Sequence, residues 1–154
     1  MSEQLAPADL LTLEDQVCFA LSVADRRVVA VYRPLLEPLG LTHPQYLAMV
    51  ALWQHAPVTL KRLGELLALD SGTLSPLLKR LEGAGLIHRR RDTADERSLV
   101  VELTEQGLAL RERAASVHQG VVERLGLDRD DFETMRRVLT RIIEAAAPGR
   151  PGAQ

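Results

Sequence analysis

A single cysteine, Cys18, stands among 154 residues, and aromatic side chains are few: two phenylalanines, two tyrosines and one tryptophan. One thiol excludes an internal disulfide and fits a reducing compartment. No stretch approaches the ~20 apolar residues needed to span a membrane. Met1-Ser-Glu-Gln4 lacks the basic start of a signal peptide, so a cytoplasmic chain with no membrane partner is expected. His43, His55, His88 and His118 are scattered without metal-ligand spacing, and neither a metal nor another cofactor is expected. A glycine-rich phosphate loop, a Gly-x-Ser-x-Gly elbow and a nucleophile, base and orienter set are all missing. An enzyme is therefore not expected; a thiol peroxidase built on Cys18 would also need a resolving cysteine or a recycling partner.

What is present suits one globular core. Hydrophobic residues make up 46% and charged residues 26%, with a formal net charge of -2. We expect a single domain over 1–154, mainly α (α+β).

The most informative run is Leu69-Asp-Ser-Gly-Thr-Leu-Ser-Pro-Leu-Leu-Lys-Arg-Leu-Glu82. Leu74, Leu77, Leu78 and Leu81 recur at i, i+3, i+4 and i+7, one inward face of a helix. The other face carries Thr73, Ser75, Pro76, Lys79 and Arg80. Proline is cheap only in the first turn, which places the helix start near Thr73 with Ser71 or Thr73 as cap. Such an N-terminus, with small hydroxyls and outward N–H groups, favours phosphate. Gly83 and Gly85 stop the helix.

Beyond them, Leu86 to Arg91 and Leu99 to Leu103 read as paired strands, the second with Leu99, Val101 and Leu103 on a buried face. Asp92 to Glu96 form the turn, with Arg97 at its edge and Asp95 placed to hold the guanidinium. This is a basic wing, suited to a minor groove. Lys79, Arg80, Arg89, Arg90 and Arg91 oppose only Glu82, a local +4 within an acidic chain. That is a phosphate footprint.

Around this segment, Leu10 to Leu39 reads as one long helix ended or bent by Pro34, Pro38 and Gly40. A second helix follows Pro44 and breaks at Pro57, and Thr59 caps a short helix from Leu60 to Leu67. The short helix, the turn from Ala68 to Gly72 and the next helix make a helix-turn-helix. Thr104 opens a long helix to about Leu125; Gly126 interrupts it, and Asp128 caps a last helix with an apolar face. Trp53 and Phe132 are taken as core, and Tyr46 likewise. The winged helix-turn-helix thus spans 42–103. Residues 8–40 and 104–147 form a helical dimerisation part, and 148–154 a frayed tail. A homodimer would set two reading helices ~34 Å apart on a pseudo-palindromic double-stranded DNA site.

The order of elements, with Asp95-Glu-Arg-Ser98 and Leu103-Thr-Glu-Gln-Gly107, resembles the MarR family of bacterial transcription regulators over essentially the whole chain. Leu13-Glu-Asp-Gln-Val-Cys-Phe19, Thr42-His-Pro-Gln-Tyr-Leu47 and Asp70-Ser-Gly-Thr-Leu-Ser-Pro76 are similar to its organic-hydroperoxide-sensing branch, OhrR, of one-cysteine type. The resemblance implies a dimeric repressor that leaves its operator when Cys18 is oxidised by an organic hydroperoxide. It assigns DNA contact to Asp70, Ser71, Thr73, Ser75, Lys79, Arg80 and Arg97; from the hairpin pattern itself, Asp95, Arg89, Arg90 and Arg91 are expected to support the wing. Tyr32 matches a tyrosine that hydrogen-bonds the cysteine, while two further tyrosines of the branch correspond here to Ser22 and His43. Tyr32 follows Cys18 by fourteen residues, about 21 Å along a straight helix, so a Tyr32 that touches Cys18 comes from the partner subunit unless the helix is sharply broken, and an intersubunit site is expected. With no second cysteine, a sulfenic acid at Cys18 must meet a low-molecular-weight thiol or oxidise further. The alternative is a repressor of the same family released by a small phenolic or aromatic ligand, with Cys18 structural.

Overall fold

The computed structural model describes residues 11–149, which fall into two compact units divided after Val117. The first unit holds α1 (Val17–Leu36), a 3-10 turn (Glu37–Leu39), α2 (His43–His55), β1 (Val58–Thr59), α3 (Leu60–Leu67), α4 (Ser71–Gly83), β2 (Ile87–Arg91) and β3 (Leu99–Leu103). Helix α5 (Glu105–Leu125) runs through the division into the second unit, which also contains α6 (Arg129–Ala145). Among the described residues no helix is long and apolar enough to cross a membrane.

Helix α1 is shorter than its hydrophobic pattern. Leu11 to Gln16 form turns instead of helix, and Leu10 lies outside the described residues, as does the tail from 150 onward. The Thr12 hydroxyl donates to the Asp15 carboxylate at 2.7 Å, and the Gln16 N–H donates to the Leu13 carbonyl. Such local bonds compete with helical ones. At the other end Pro34 sits inside the helix, and Gly40, at φ 68°, closes the 3-10 turn.

Helix α2 opens on a reciprocal cap: Thr42 Oγ1 accepts the Gln45 N–H, and Gln45 Oε1 accepts the Thr42 N–H. Tyr46, Ala48, Met49, Ala51 and Leu52 are buried, making it the central helix of the first unit. Around it pack Leu36, Leu63, the four leucines of α4, Ile87, Val101 and, from α5, Leu110, Ala114 and Val117. At roughly 1.5–3 kcal/mol for each large side chain buried, this face is the main term holding α4 in place.

Two features of α4 correct the sequence expectation. The helix begins at Ser71, and its cap is Asp70, whose Oδ1 accepts the Thr73 N–H at 2.7 Å. Pro76 consequently lies beyond the first turn, where it cannot donate to the Gly72 carbonyl. The carboxylate cap and the buried leucines outweigh that single lost bond.

The sheet has order β1-β3-β2, antiparallel throughout, with Val58 opposite Val101 and Arg89 also opposite Val101 across the central strand. Because β3 is central, Val100 and Val101 are both buried, where strict alternation predicted only one. β1 is two residues long and leaves no periodic signal.

In the second unit Asp128 and Asp131 form the reciprocal cap that starts α6, after Gly126 at φ 63°. No residue of α6 is buried: Met135 and Val138 are each 41% exposed and Ile143 70%. Phe132, expected in the core, is half-buried with its ring 6.3 Å from that of His118. The apolar stripe of α6 exists as the sequence indicates, but a single chain does not cover it.

Candidate nucleic-acid interface and thiol site

The outer surface of α4 presents Ser71, Thr73, Lys79 and Arg80 exposed, with Ser75 half-buried. Asp70 is exposed and spends its carboxylate on the cap. The hydrogen bond from the Thr73 backbone, followed by that from its side chain, holds the Asp70 carboxyl below its ordinary value. A depressed folded pKa stabilises above the ordinary value of 3.8, and the benefit disappears as pH falls through the folded value. We expect Asp70→Ala to lower the melting temperature by a few degrees at pH 7, with the deficit closing below about pH 4. A thermal series from pH 7 to pH 3 checks this.

The basic run after α4 is largely committed to holding the hairpin. Arg89 grips Glu82 at the end of α4 through Nη2 at 3.2 Å and Nε at 3.4 Å, and its backbone N–H adds a third bond. Arg90 Nε meets Glu102 Oε1 at 2.6 Å, and His88 Nε2 meets Glu102 Oε2 at 2.7 Å. Side-chain hydrogen bonds from Arg89 and Arg90 respectively hold the Glu82 and Glu102 carboxyls below their usual range. Arg91 Nη1 donates to the Glu96 carbonyl at 2.8 Å. The local +4 overstates the charge offered outward, because Glu102 reaches Arg90 only through the strand register.

At the hairpin tip Asp92 Oδ1 accepts the Ala94 N–H and Asp95 Oδ1 the Arg97 N–H, while Asp95 Oδ2 accepts the Ser98 hydroxyl. Asp95 therefore braces the backbone of the turn; it does not hold the Arg97 guanidinium, as the sequence suggested. The Asp95 carboxylate is already taken up by the Arg97 N–H and the Ser98 hydroxyl, and the Arg97 side chain is exposed. Among the described residues Lys79, Arg80, Arg91 and Arg97 enter no ion pair, so these four carry the outward positive charge of helix and wing, Arg91 with one nitrogen engaged by the Glu96 carbonyl. Sequence reasoning missed the Glu82 and Glu102 braces; the only available signal was acidic residues flanking the basic run.

Cys18 is the second residue of α1 and is exposed, between Val17 and Phe19, themselves 59% and 41% exposed. Ser22 lies one turn along, exposed, with its carbonyl accepting from Arg26. Tyr32 is on the same helix about 21 Å away by helical rise, so the protomer does not bring the two together. What it does bring together is Tyr32, His43 and Tyr46: the Tyr32 ring lies 4.8 Å from that of His43 and 5.6 Å from that of Tyr46. Burial pushes the Tyr32 and Tyr46 phenols up, Tyr32 adding to the shift of Tyr46. Burial pushes His43 down, opposed in part by Asp25. His43 also lines a cavity of about 560 Å³ with Val29, Arg33, Leu36, Glu37 and Leu41.

A model of the MarR family matches residues 41–99. The chain is 44% identical, over 88% of its own length and 92% of the other's, to the organic hydroperoxide resistance transcriptional regulator of Bacillus subtilis (strain 168). Among solved structures, a probable transcriptional regulator from Pseudomonas aeruginosa superposes with a TM-score of 0.78 at 34% identity, covering 86% of this chain and all of that one. AbfR bound to DNA, solved both reduced and overoxidised, gives a TM-score of 0.71 at 32% identity over 90% of this chain and 99% of that one.

Proposed function

Because this chain belongs to the MarR family, we propose that it is a dimeric DNA-binding transcriptional repressor that senses organic hydroperoxides by oxidation of Cys18. Its relatives are transcriptional regulators. The observation that carries the reading is the placement of the lone cysteine, exposed on an uncovered apolar stretch of α1, in a chain 44% identical to a hydroperoxide-resistance regulator.

The Cys18 thiolate attacks the distal peroxide oxygen, an S–O bond forms as the O–O bond breaks, that oxygen keeps its hydrogen, and the departing alkoxide takes from solvent the proton the thiol released on ionising and leaves as an alcohol. Sulfur is oxidised to sulfenic acid and the peroxide is reduced. A low-molecular-weight thiol then condenses with the sulfenic acid, releasing water and leaving a mixed disulfide. Tyr32 of the other subunit supplies a hydroxyl that hydrogen-bonds the thiolate. Val17, Phe19 and Leu21 on α1, and Met135, Val138 and Ile143 on α6, give apolar surface for a second copy to cover. An enlarged, polar side chain at Cys18 no longer fits the seam, the first helices shift and the two α4 helices lose their spacing. Among the described residues no nucleophile, base and orienter set accompanies Cys18, and we assign no enzymatic turnover; a reducing cytoplasm suits an unpaired thiol.

On DNA, α4 enters the major groove with Ser71, Thr73, Ser75, Lys79 and Arg80, Asp70 fixing its first turn, and Arg97 reaches the minor groove. Arg97→Ala keeps the backbone N–H that Asp95 accepts, so the turn survives. Operator affinity should fall about tenfold, of order 1–2 kcal/mol, as measured by fluorescence anisotropy at two salt concentrations. Unchanged affinity would remove the wing from the interface.

The purified protein with a duplex from its own upstream region, with and without an organic hydroperoxide, tests the whole reading. Release by hydroperoxide is expected. A complex insensitive to hydroperoxide but released by a phenolic ligand would favour the alternative in which Cys18 is structural.

A further inference from the structure

The ring cluster of α1 and α2 carries a second role. Tyr32 is half-buried, and its ring packs against His43 at 4.8 Å, tilted by 60°, and against Tyr46 at 5.6 Å, tilted by 44°. Ring contacts on two neighbours narrow the orientations open to the phenol. His43 is itself well placed to do so. It is the first residue of α2, directly after the reciprocal Thr42 and Gln45 cap that fixes the backbone there. It also lines the cavity of about 560 Å³, together with Arg33 and Leu36.

Resting on the reading that Cys18 is the sensor and Tyr32 its hydroxyl partner, we propose that His43 is the positioning residue for Tyr32, and that protonation of its imidazole alters the reactivity of the thiol Tyr32 serves. His43 makes and breaks no covalent bond in this scheme. In the neutral state it acts by packing. As an imidazolium it would lie beside the electron-rich phenol face and bring positive charge near the thiolate, favouring the ionised sulfur. The titratable and charged groups around it are Asp25, Tyr32 and Arg33 on α1, Glu37 in the following turn, and Tyr46 on α2. Burial leaves the neutral form dominant near pH 7, so the second state is populated only on acidification below 6.5.

The test is the rate of Cys18 oxidation by cumene hydroperoxide in the full-length reduced dimer, followed by quenched intact-mass spectrometry from pH 5 to pH 9. Wild type, His43→Phe and His43→Ala are compared, each first shown to bind operator when reduced. The wild-type profile should require two ionisations, the thiol and a second below pH 6.5. His43→Phe, which keeps a ring but cannot titrate, should lose the second ionisation and stay within about twofold at pH 8. His43→Ala should oxidise slower by the order of tenfold, as when other orienting partners are removed. One shared profile and rate for all three proteins overturns the role of His43 and leaves the sensor reading intact. A wild-type Cys18 that is not oxidised at all overturns the sensor reading, and this proposal with it.

Discussion

Cys18→Ser should bind operator as the reduced wild type does, within about twofold, and should stay bound at hydroperoxide concentrations that lower wild-type affinity by the order of a hundredfold. Serine is close to cysteine in size, and its hydroxyl, though more polar, adds no bulk to the seam. At the exposed second residue of α1 it meets no packing constraint within the chain. It cannot form a thiolate, however, and so cannot take the peroxide oxygen. The fully retained complex follows from there being no other sulfur of comparable reactivity: the chain has one cysteine, and its three methionines are thioethers that do not ionise. Anisotropy titrations of both proteins with and without hydroperoxide read the effect directly. Equal release of the two proteins would transfer the sensing chemistry elsewhere.

The second large effect is on stability. Gly107→Ala should destabilise by about 3 kcal/mol and lower the melting temperature by about 10 °C, against the usual gain of roughly 1 kcal/mol for alanine over glycine in a helix. A Cβ there would run into the carbonyl oxygen of Leu86 and press on Leu103 at 3.3 Å. Neither neighbour can retreat. The Leu86 carbonyl accepts the Thr104 N–H, and the Thr104 hydroxyl donates to the Gly85 carbonyl while accepting the Gly107 N–H. On its other side the Gly107 carbonyl accepts the indole N–H of Trp53 at 2.9 Å. Relief of the clash must break one of these links among α2, the start of β2 and α5. Thermal unfolding followed by the fluorescence of Trp53 measures it; a variant as stable as wild type would mean the junction is looser than its hydrogen bonds indicate.

Much of this was legible in the residues. The four leucines of α4, the Thr59 cap of α3 and the Asp128 cap of α6 are local patterns, and local patterns survive folding. The misreadings each involved a competitor that local patterns do not weigh. Pro76 argued for a late helix start, but the Asp70 carboxylate formed a stronger cap three residues earlier than the hydroxyl at Thr73. Val100 looked solvent-facing until β1, too short to carry a period, made β3 the central strand. At the candidate site, the hydroxyls and cations of α4 were visible in the sequence. The spending of Arg89 and Arg90 on Glu82 and Glu102 was not, because only the helix-to-strand turn and the hairpin register bring those partners together. The contact of Tyr32 with His43 likewise depends on the chain reversing at Gly40.

The central claim is that modification of Cys18 and release of DNA are one event. It is tested by titrating the operator complex with cumene hydroperoxide and a low-molecular-weight thiol, reading anisotropy while aliquots are quenched for intact mass. The account requires the bound fraction to fall in step with the unmodified fraction of Cys18. Release with Cys18 unmodified, or full modification with the complex intact, would contradict it.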